Sequence, residues 1–343
     1  MGEETRIEWC DHSWSPWRGC TKVSPGCANC YAETLSKHNP AVLGQWGKGK
    51  PRVLAKNWGD PVRWNKAWNK AQYFTRVQGQ TEPSRPTVFP SLCDWLDDEV
   101  PVEWLAKFLQ LIHDTPNLTW LLLTKRPENF QQSILATSIY LSGFRDGQTS
   151  ENPTQPQMSA WEMAHDWISY GSAPRNVWVG TSVEDQTRAD ERIPELLSIP
   201  AAGRFLSVEP LLGPVDLEHV VIKKSDAPER GKPDVSFDSL RGWHGGFTRP
   251  EKTRINWVII GGESGPGARR CNVDWIRSIV QQCKDASVPV FVKQLGAVAM
   301  EHQCDEDGNP IGNLRLALTH PKGGDPAEWP AELRVREFPE GLR

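Results

Sequence analysis

The feature of this 343-residue sequence that most restricts its fold is a repeated alternation of short apolar runs with helical patterns. Each run is nearly continuous in apolar character, which is typical of strands covered on both faces in a parallel sheet. The segments between the runs read as helices, so the alternation predicts stacked βα units. The predicted strands are 87–94, 118–125, 176–182, 203–209, 255–262 and 288–294, and the predicted helices are 31–39, 102–114, 127–136, 186–198 and 272–286.

The number of these units sets the expected architecture. A first strand near Ile7–Cys10 or Trp14–Trp17 would bring the total to about seven. We predict an α/β fold that forms a partial or complete parallel β/α barrel of the TIM type. A doubly wound open sheet is the alternative, because the order of the strands cannot be read from one sequence.

Two long polar stretches interrupt the alternation. Residues 142–175 and 223–253 are rich in Gly and Pro and exceed the usual length of a connection, so we interpret them as surface insertions. The predicted barrel then occupies residues 1–300. Residues 301–343 form a polar C-terminal tail that we expect to pack on the barrel.

Composition excludes several classes of protein. No apolar run reaches the length of about 18 residues that a membrane span needs, and the first residues do not read as a signal peptide. We therefore expect a cytoplasmic protein without a membrane partner. The net charge of −4 argues against a chain coated in basic residues, although a local basic groove would leave that total unchanged.

Three of the eight cysteines stand close together in the sequence. Cys20, Cys27 and Cys30 form a C-x6-C-x2-C pattern. Clustered thiolates select zinc or an iron–sulfur cluster. Structural zinc wants four ligands, which Cys10 or His12 would have to complete, whereas three thiolates suit a [4Fe–4S] cluster with one open iron. We favour the [4Fe–4S] cluster, with zinc or unliganded thiols as alternatives.

Polar residues follow most of the predicted strands. In parallel β/α folds the carboxyl ends of the strands meet at one opening, where the chemistry collects. The acids there could bind ribose hydroxyls or an amino group, or pair with the basic residues. The glycine pair reads as a backbone built for close approach to a ligand. The candidate site residues are Lys125, Arg126, Ser182, Glu184, Ser207, Glu209, Gly261, Gly262, Glu263 and Lys293.

Six stretches between residues 6 and 296 carry a family resemblance: IEWCDHSWSPWRGCTKVSPGCANCYAE, WLLLTKRPE, VWVGTSVEDQ, RFLSVEPLLGPVDL, WVIIGGESGPGARR and VPVFVKQLG. They resemble the phage and bacterial three-cysteine-motif proteins, a family of unknown function described as radical-SAM-like. Radical SAM enzymes usually carry C-x3-C-x2-C, so the first loop is longer here. The resemblance covers nearly the whole chain.

The resemblance implies a cofactor and a reaction. Cys20, Cys27 and Cys30 would hold a [4Fe–4S] cluster whose open iron binds S-adenosylmethionine, and reduction by a flavodoxin or ferredoxin would yield a 5′-deoxyadenosyl radical. S-adenosylmethionine would lie near Ser182, Glu184, Ser207, Glu209, Gly261, Gly262 and Glu263. Lys125 and Arg126 would orient an anionic substrate, with a nucleic-acid base or nucleotide as the candidate class.

A second hypothesis places the protein in a different class. The same three cysteines could hold a structural zinc in a non-catalytic module that binds nucleic acid or another protein. The 17 tryptophans would then offer rings on which bases stack. The two hypotheses differ in the metal they require.

Overall fold

The computed structural model describes residues 5–78, 84–145, 155–223, 235–242, 253–304 and 310–342. Its strands are β1 (His12–Ser13), β2 (Trp17–Arg18), β3 (Val53–Leu54), β4 (Thr87–Phe89), β5 (Thr119–Thr124), β6 (Val177–Ser182), β7 (Gly203–Val208), β8 (Val220–Lys223), β9 (Val235–Phe237), β10 (Trp257–Gly261), β11 (Cys271–Asn272), β12 (Val290–Gln294), β13 (Ala299–Cys304) and β14 (Pro310–Arg315). Its helices are α1 (Tyr31–His38), α2 (Pro40–Leu43), α3 (Gly59–Val77), α4 (Val102–Asp114), α5 (Phe130–Arg145), α6 (Gln155–Ser169), α7 (Gln186–Ser198) and α8 (Val273–Asp285).

Seven strands form one parallel sheet in the order β1-β4-β5-β6-β7-β10-β12. This order follows the chain without reversal, whereas a doubly wound sheet reverses its order at a switch point. The doubly wound alternative is therefore wrong. Across the described residues β1 and β12 do not pair, so the sheet is a curled half-barrel, consistent with the partial form of the predicted TIM-like barrel.

The two faces of the sheet pack against different partners because successive side chains of a strand alternate. On the outer face, Trp120 of β5 contacts Phe108 of α4, with ring centroids 5.3 Å apart. Leu121, the next residue, belongs to a separate inner cluster with Phe89 and Phe205. Helices thus cover the outer face, and the inner face encloses its own apolar core.

Aromatic rings fill the inner core toward the amino-terminal ends of the strands, and glycines leave space for these rings. A Cβ atom on Gly180 would lie 2.5 Å from the ring of Phe205, and one on Gly203 would lie 2.4 Å from the ring of Trp178. Trp9 packs against this layer, with its ring centroid 4.5 Å from that of Phe89. Side chains therefore fill the half-barrel at the amino-terminal ends of its strands, and the carboxyl ends form the open end.

The C-terminal segment adds to one edge of the sheet. Val292 N donates to Val335 O, and Glu337 N donates to Val290 O, so residues 335–337 lie antiparallel along β12. Arg336 also forms an ion pair with Glu8 at 2.9 Å. The segment therefore ties β12 to the residues that precede β1.

The observed elements agree with the predicted ones where periodicity was strong. Helices α4 and α7 have the predicted bounds, and five of the six predicted strands overlap the observed ones closely. The first strand lies at His12–Ser13, between the two predicted positions, and β4 ends at Phe89 rather than at residue 94. None of the described helices combines the length and apolar character that a bilayer crossing requires.

The region predicted as the first insertion contains a packed helix. α6 lies within residues 142–175, and its Trp167 is fully buried, stacked on Trp95 with ring centroids 6.2 Å apart. The helix α3 was not predicted. Most of the second proposed insertion, 223–253, lies outside the described residues.

Candidate functional site

A cavity of about 150 Å³ lies at the carboxyl ends of the strands, beneath the cysteine loop, residues 20–30. Its floor includes Phe89 and Leu123 from the inner face of the sheet. Exposed residues Lys22 and Tyr31 also line it, so the cavity opens to the surface. The remaining lining includes the candidate residues Cys20, Cys27, Cys30, Lys125 and Ser182.

Glu184 holds the cysteine loop from the end of β6. Its carboxylate is fully buried and pairs with Arg192 of α7 at 2.8 Å. Ser24 of the loop donates its hydroxyl hydrogen to the same carboxylate at 2.5 Å. The loop packs tightly here, because a Cβ on Gly26 would lie 2.2 Å from a carboxylate oxygen of Glu184. Glu184 therefore positions the loop.

Glu263 makes an equivalent attachment from the end of β10. Its carboxylate accepts hydrogen bonds from Asn29 of the loop at 3.0 Å and from Arg269 at 2.6 Å. Arg269 in turn donates to the carbonyl oxygen of Pro25 at 2.9 Å. Burial alone would raise the pKa of Glu263, but the hydrogen bonds from Arg269 and Asn29 outweigh it and lower that pKa. The carboxylate is thus ionised and committed to this network.

Arg126 forms the third attachment, from the end of β5. It is buried and pairs with Asp94 at 2.9 Å. Its guanidinium also donates to the carbonyl oxygen of Thr21 at 2.6 Å and to Cys20 Sγ at 3.6 Å. A guanidinium held at three points in this way fixes the start of the loop instead of reaching toward a substrate.

The remaining five polar candidates form a group of three and a pair on the inner face of the strand ends. Lys125 Nζ donates to Ser182 Oγ at 2.8 Å, and Ser182 stands beside Ser207 in the β6–β7 register. Lys293 Nζ donates to Glu209 at 2.9 Å. Lys125, Ser182, Ser207, Glu209 and Lys293 are therefore the candidates not used to hold the loop.

The glycine pair at the end of β10 serves packing inside the protein. A Cβ on Gly261 would lie 2.4 Å from a carboxylate oxygen of Glu209, and one on Gly262 would lie 2.2 Å from the carbonyl oxygen of Leu295. The close approach that the glycines allow is therefore to Glu209 and Leu295. The expectation that this backbone approaches a ligand directly has no support at these two residues.

The three predicted cysteines line one cavity without converging on one point. Among the described residues, no three His, Cys, Asp or Glu side chains lie close enough together to hold a single metal ion. Burial, with the charge of Asp94, raises the pKa of Cys20 to about 12. Cys20 is therefore a thiol here, and binding a metal would release its proton.

A fourth cysteine in the cavity lining was not predicted from the sequence. Cys93 lines the cavity, and its backbone forms a bridge with Gly19, next to Cys20. Burial raises the pKa of Cys93 well above its usual value. Its position just after β4 was a usable signal, because residues at that place in a strand–helix unit face the open end. The loop-holding partners Ser24, Asn29, Arg192 and Arg269 carried no comparable signal in the sequence.

Fold and site together define a parallel β/α half-barrel protein with a cysteine-lined cavity at its open end. The chain belongs to the family described as "Protein of unknown function (DUF5131)", which it matches over residues 4–319.

Two further comparisons add little to this assignment. Among curated proteins, none matches the sequence. Of the solved structures, an HpcH/Hpal aldolase/citrate lyase family protein from Burkholderia cenocepacia J2315 is similar at 12% identity, over 81% of this chain and 79% of that chain, with a TM-score of 0.24. At that score the likeness does not define the fold.

Proposed function

We propose that this protein is a radical-SAM-like iron–sulfur enzyme that modifies or repairs a substrate, with a nucleic-acid base or nucleotide as the proposed class. The observation that carries the proposal is the single cavity lined by Cys20, Cys27 and Cys30 at the open end of a parallel half-barrel. Three thiols on one loop match the donor set of a [4Fe–4S] cluster with an open iron. A flavodoxin or ferredoxin is the proposed reductant.

A cluster and a zinc ion place different demands on the three thiols. A zinc ion needs its ligands at about 2.3 Å from one centre, so the sulfur atoms must converge. In a cluster each thiolate binds a different iron, so the sulfur atoms surround a volume instead. Cys20, Cys27 and Cys30 line one cavity, as a shared cluster would require.

The residues of the chain would bind, orient and shield. Cys20, Cys27 and Cys30 would hold the cluster, which would supply an electron for radical chemistry on S-adenosylmethionine. Lys125 donates one hydrogen bond to Ser182 and has two further donors for an anionic group of the substrate. Glu209, held by Lys293, has a second carboxylate oxygen that can accept from an amino or hydroxyl group. Phe89 and Leu123 form an apolar floor that limits water.

The polar residues divide between two roles. Glu184, Glu263 and Arg126 are positioning residues that act through the cysteine loop. Lys125, Ser182, Ser207 and Glu209 are the proposed cofactor- and substrate-binding residues. A radical needs a site that keeps bound groups in place and excludes side reactions, and a loop attached at three points supports that requirement.

The proposal is tested by anaerobic reconstitution with iron and sulfide, followed by dithionite and S-adenosylmethionine. We expect about four iron atoms per chain and formation of 5′-deoxyadenosine by the wild type. Cys27→Ala should lose both the bound iron and the formation of 5′-deoxyadenosine. Cys283→Ala is the matched control, because Cys283 is buried outside the cavity and should leave both intact.

Two results would contradict the proposal. One mole of zinc per chain without iron would favour the non-catalytic module with structural zinc. A cluster that forms without yielding 5′-deoxyadenosine would leave an iron–sulfur protein that does not use S-adenosylmethionine.

A further inference from the structure

Charge is distributed very unevenly along the chain. Residues 17–78 contain eleven Lys and Arg against two Asp and Glu, although the whole chain has a net charge of −4. All but two of these eleven cations are exposed, the exceptions being Arg18 and Arg52. Glu33, one of the two acids, pairs with Lys22 at 2.7 Å, which leaves the excess of positive charge almost unchanged. Residues 17–78 therefore form a basic lobe on an otherwise acidic protein.

The basic lobe is attached to the cysteine loop. Strands β2 and β3 pair antiparallel, which brings residues 17–18 next to residues 53–54. Gly47 N donates to the carbonyl oxygen of Cys20, and Trp46 lines the cavity beside the cysteines. Lys22 is both part of the lobe and part of the cavity lining. One end of the basic lobe therefore borders the candidate site, while α3 runs away from it toward Ser84 and Asn117, which precede β4 and β5.

The exposed face of α3 combines cations with aromatic rings. Trp64 and Trp68 are buried on the inner side of this helix. The outer side presents, in order, exposed Arg63, Lys66 and Lys70, followed by Tyr73 at 66% and Phe74 at 50% exposure. Lysines that track a phosphate backbone beside rings that stack on bases are the two elements of a single-strand binding surface.

The cavity is smaller than a pocket that encloses a drug-sized ligand. Pockets that enclose a drug-sized ligand measure roughly 300–1,000 Å³. This cavity measures about 150 Å³, so a nucleotide-sized substrate would lie mostly outside it, on the surrounding surface. A polymer that presents one unit to the cavity, and lies across the basic lobe with the rest, meets this condition.

We infer that the basic lobe binds single-stranded nucleic acid, with the phosphates on its lysines and arginines and bases stacked on Tyr73 and Phe74. The inference rests on the proposed function for the chemistry at the cavity, and it narrows that function's substrate from a nucleotide to a polymer. Binding itself requires neither a cluster nor S-adenosylmethionine.

The test measures the affinity of the full chain for labelled single-stranded DNA and RNA by fluorescence anisotropy at several salt concentrations. Lys66→Glu/Lys70→Glu should weaken binding by about tenfold or more. The same variant should lower the slope of log affinity against log salt by about 1.4, because each phosphate that is no longer neutralised accounts for about 0.7. Tyr73→Ala/Phe74→Ala should weaken binding by about fivefold or more, because bases can no longer stack on the two rings.

Lys284→Glu/Lys322→Glu is the matched control, because it makes the same change in net charge at exposed lysines outside the basic lobe. We expect this control to bind like the wild type. An equal loss of affinity in the control, or unchanged affinity in the Lys66 and Lys70 variant, would overturn the inference. Equally tight binding to polyglutamate or to anionic vesicles would also overturn it, because the lobe would then bind polyanions without using bases.

The same measurement on Cys27→Ala separates this inference from the proposed function. If Cys27→Ala binds nucleic acid like the wild type, but the wild type forms no 5′-deoxyadenosine, the radical proposal is wrong and the proposed binding surface is still supported. If the wild type forms 5′-deoxyadenosine but binds no nucleic acid, the radical proposal is supported and the binding surface is wrong.

Discussion

At the scale of single residues, the acids at the strand ends differ in what their neighbours leave them free to do. Glu184 and Glu263 each accept hydrogen bonds from an arginine and from the cysteine loop. Glu209 contacts Lys293 and lies at the inner face. Three glutamates that look alike in the sequence thus serve two different purposes, and the difference lies in which basic residue reaches each one.

The Glu184–Arg192 pair gives a prediction at this scale. Glu184→Ala would leave the Arg192 side chain, which is 6% exposed, without its carboxylate partner and with only the carbonyl oxygen of Ser182 to accept from it. We expect a loss of about 3–5 kcal/mol in the free energy of unfolding, because a buried charge without a partner is costly. Urea denaturation measures the change.

Glu191→Ala is the control for this prediction. Glu191 lies on the same helix and pairs with Arg188 at 2.7 Å, but its side chain is 57% exposed. An exposed pair contributes about 0–1 kcal/mol. Similar losses for the two variants would show that Glu184 contributes no more than a surface pair.

At the scale of elements, β6 and β7 show how small residues allow large ones on the inner face. Gly180 and Gly203 stand where side chains of the neighbouring strands project, and the rings of Phe205 and Trp178 occupy the space. Each glycine therefore accommodates one aromatic residue of the inner core. This packing closes the half-barrel at the amino-terminal ends of its strands.

Gly180→Ala should destabilise the protein. The added methyl group would lie 2.5 Å from the ring of Phe205 in a closed core, so the ring must move. We expect a loss of about 1–3 kcal/mol, measured as a lower urea midpoint.

Gly143→Ala serves as its control, since Gly143 lies in α5 and the added methyl group would meet no atom within 4 Å apart from its chain neighbours and the backbone of its own helix. That change should stabilise the helix by up to about 1 kcal/mol. If the two alanines shifted the midpoint in the same direction, packing against Phe205 would not be the cause.

Sequence patterns predicted elements well where one period dominated. The regular apolar spacing of residues 102–114 and 186–198 located α4 and α7 to the residue. α3 was missed because its exposed face carries Tyr73, Phe74 and Val77, which obscure the contrast between its two sides. α6 was missed because a polar, Pro-containing stretch surrounds it.

The candidate site was predictable only in part. Strand-end position alone predicted that Lys125 and Ser182 would share one opening with the cysteine loop. The partners could not be predicted, because Ser24 and Glu184 are 160 residues apart and nothing local marks one arginine among many as the one that turns inward. Long-range pairing depends on the fold, which the local pattern does not contain.

At the scale of the whole molecule, the inner core draws on both ends of the described chain. Trp9 and Leu342 belong to the same buried cluster as Trp257 and Phe291 from the sheet. The Trp257 indole also donates to the carbonyl oxygen of Glu337 at 3.0 Å. Segments far apart in sequence thus complete one core.

Leu342→Ala tests this arrangement. Leu342 is 3% exposed, so its removal leaves a hole in the inner core. We expect a loss of about 2–5 kcal/mol in the free energy of unfolding, measured by urea denaturation. Leu314→Ala, at a leucine that is 49% exposed, should change it by no more than about 0.5 kcal/mol. An unfolding free energy that is the same for both variants would mean that residue 342 contributes nothing to the core.

The pairing of residues 335–337 with β12 has a consequence for how this protein behaves at high concentration. An open half-barrel has two edges, and a bare edge invites strands from other molecules to join it and start aggregation. Residues 335–337 already occupy the hydrogen-bonding groups on the outer side of β12. At the opposite edge, β1 is only two residues long and offers a foreign strand little to pair with. Within the described part of the chain, the half-barrel can therefore stay open without offering a template for self-assembly at either edge of its seven-stranded sheet.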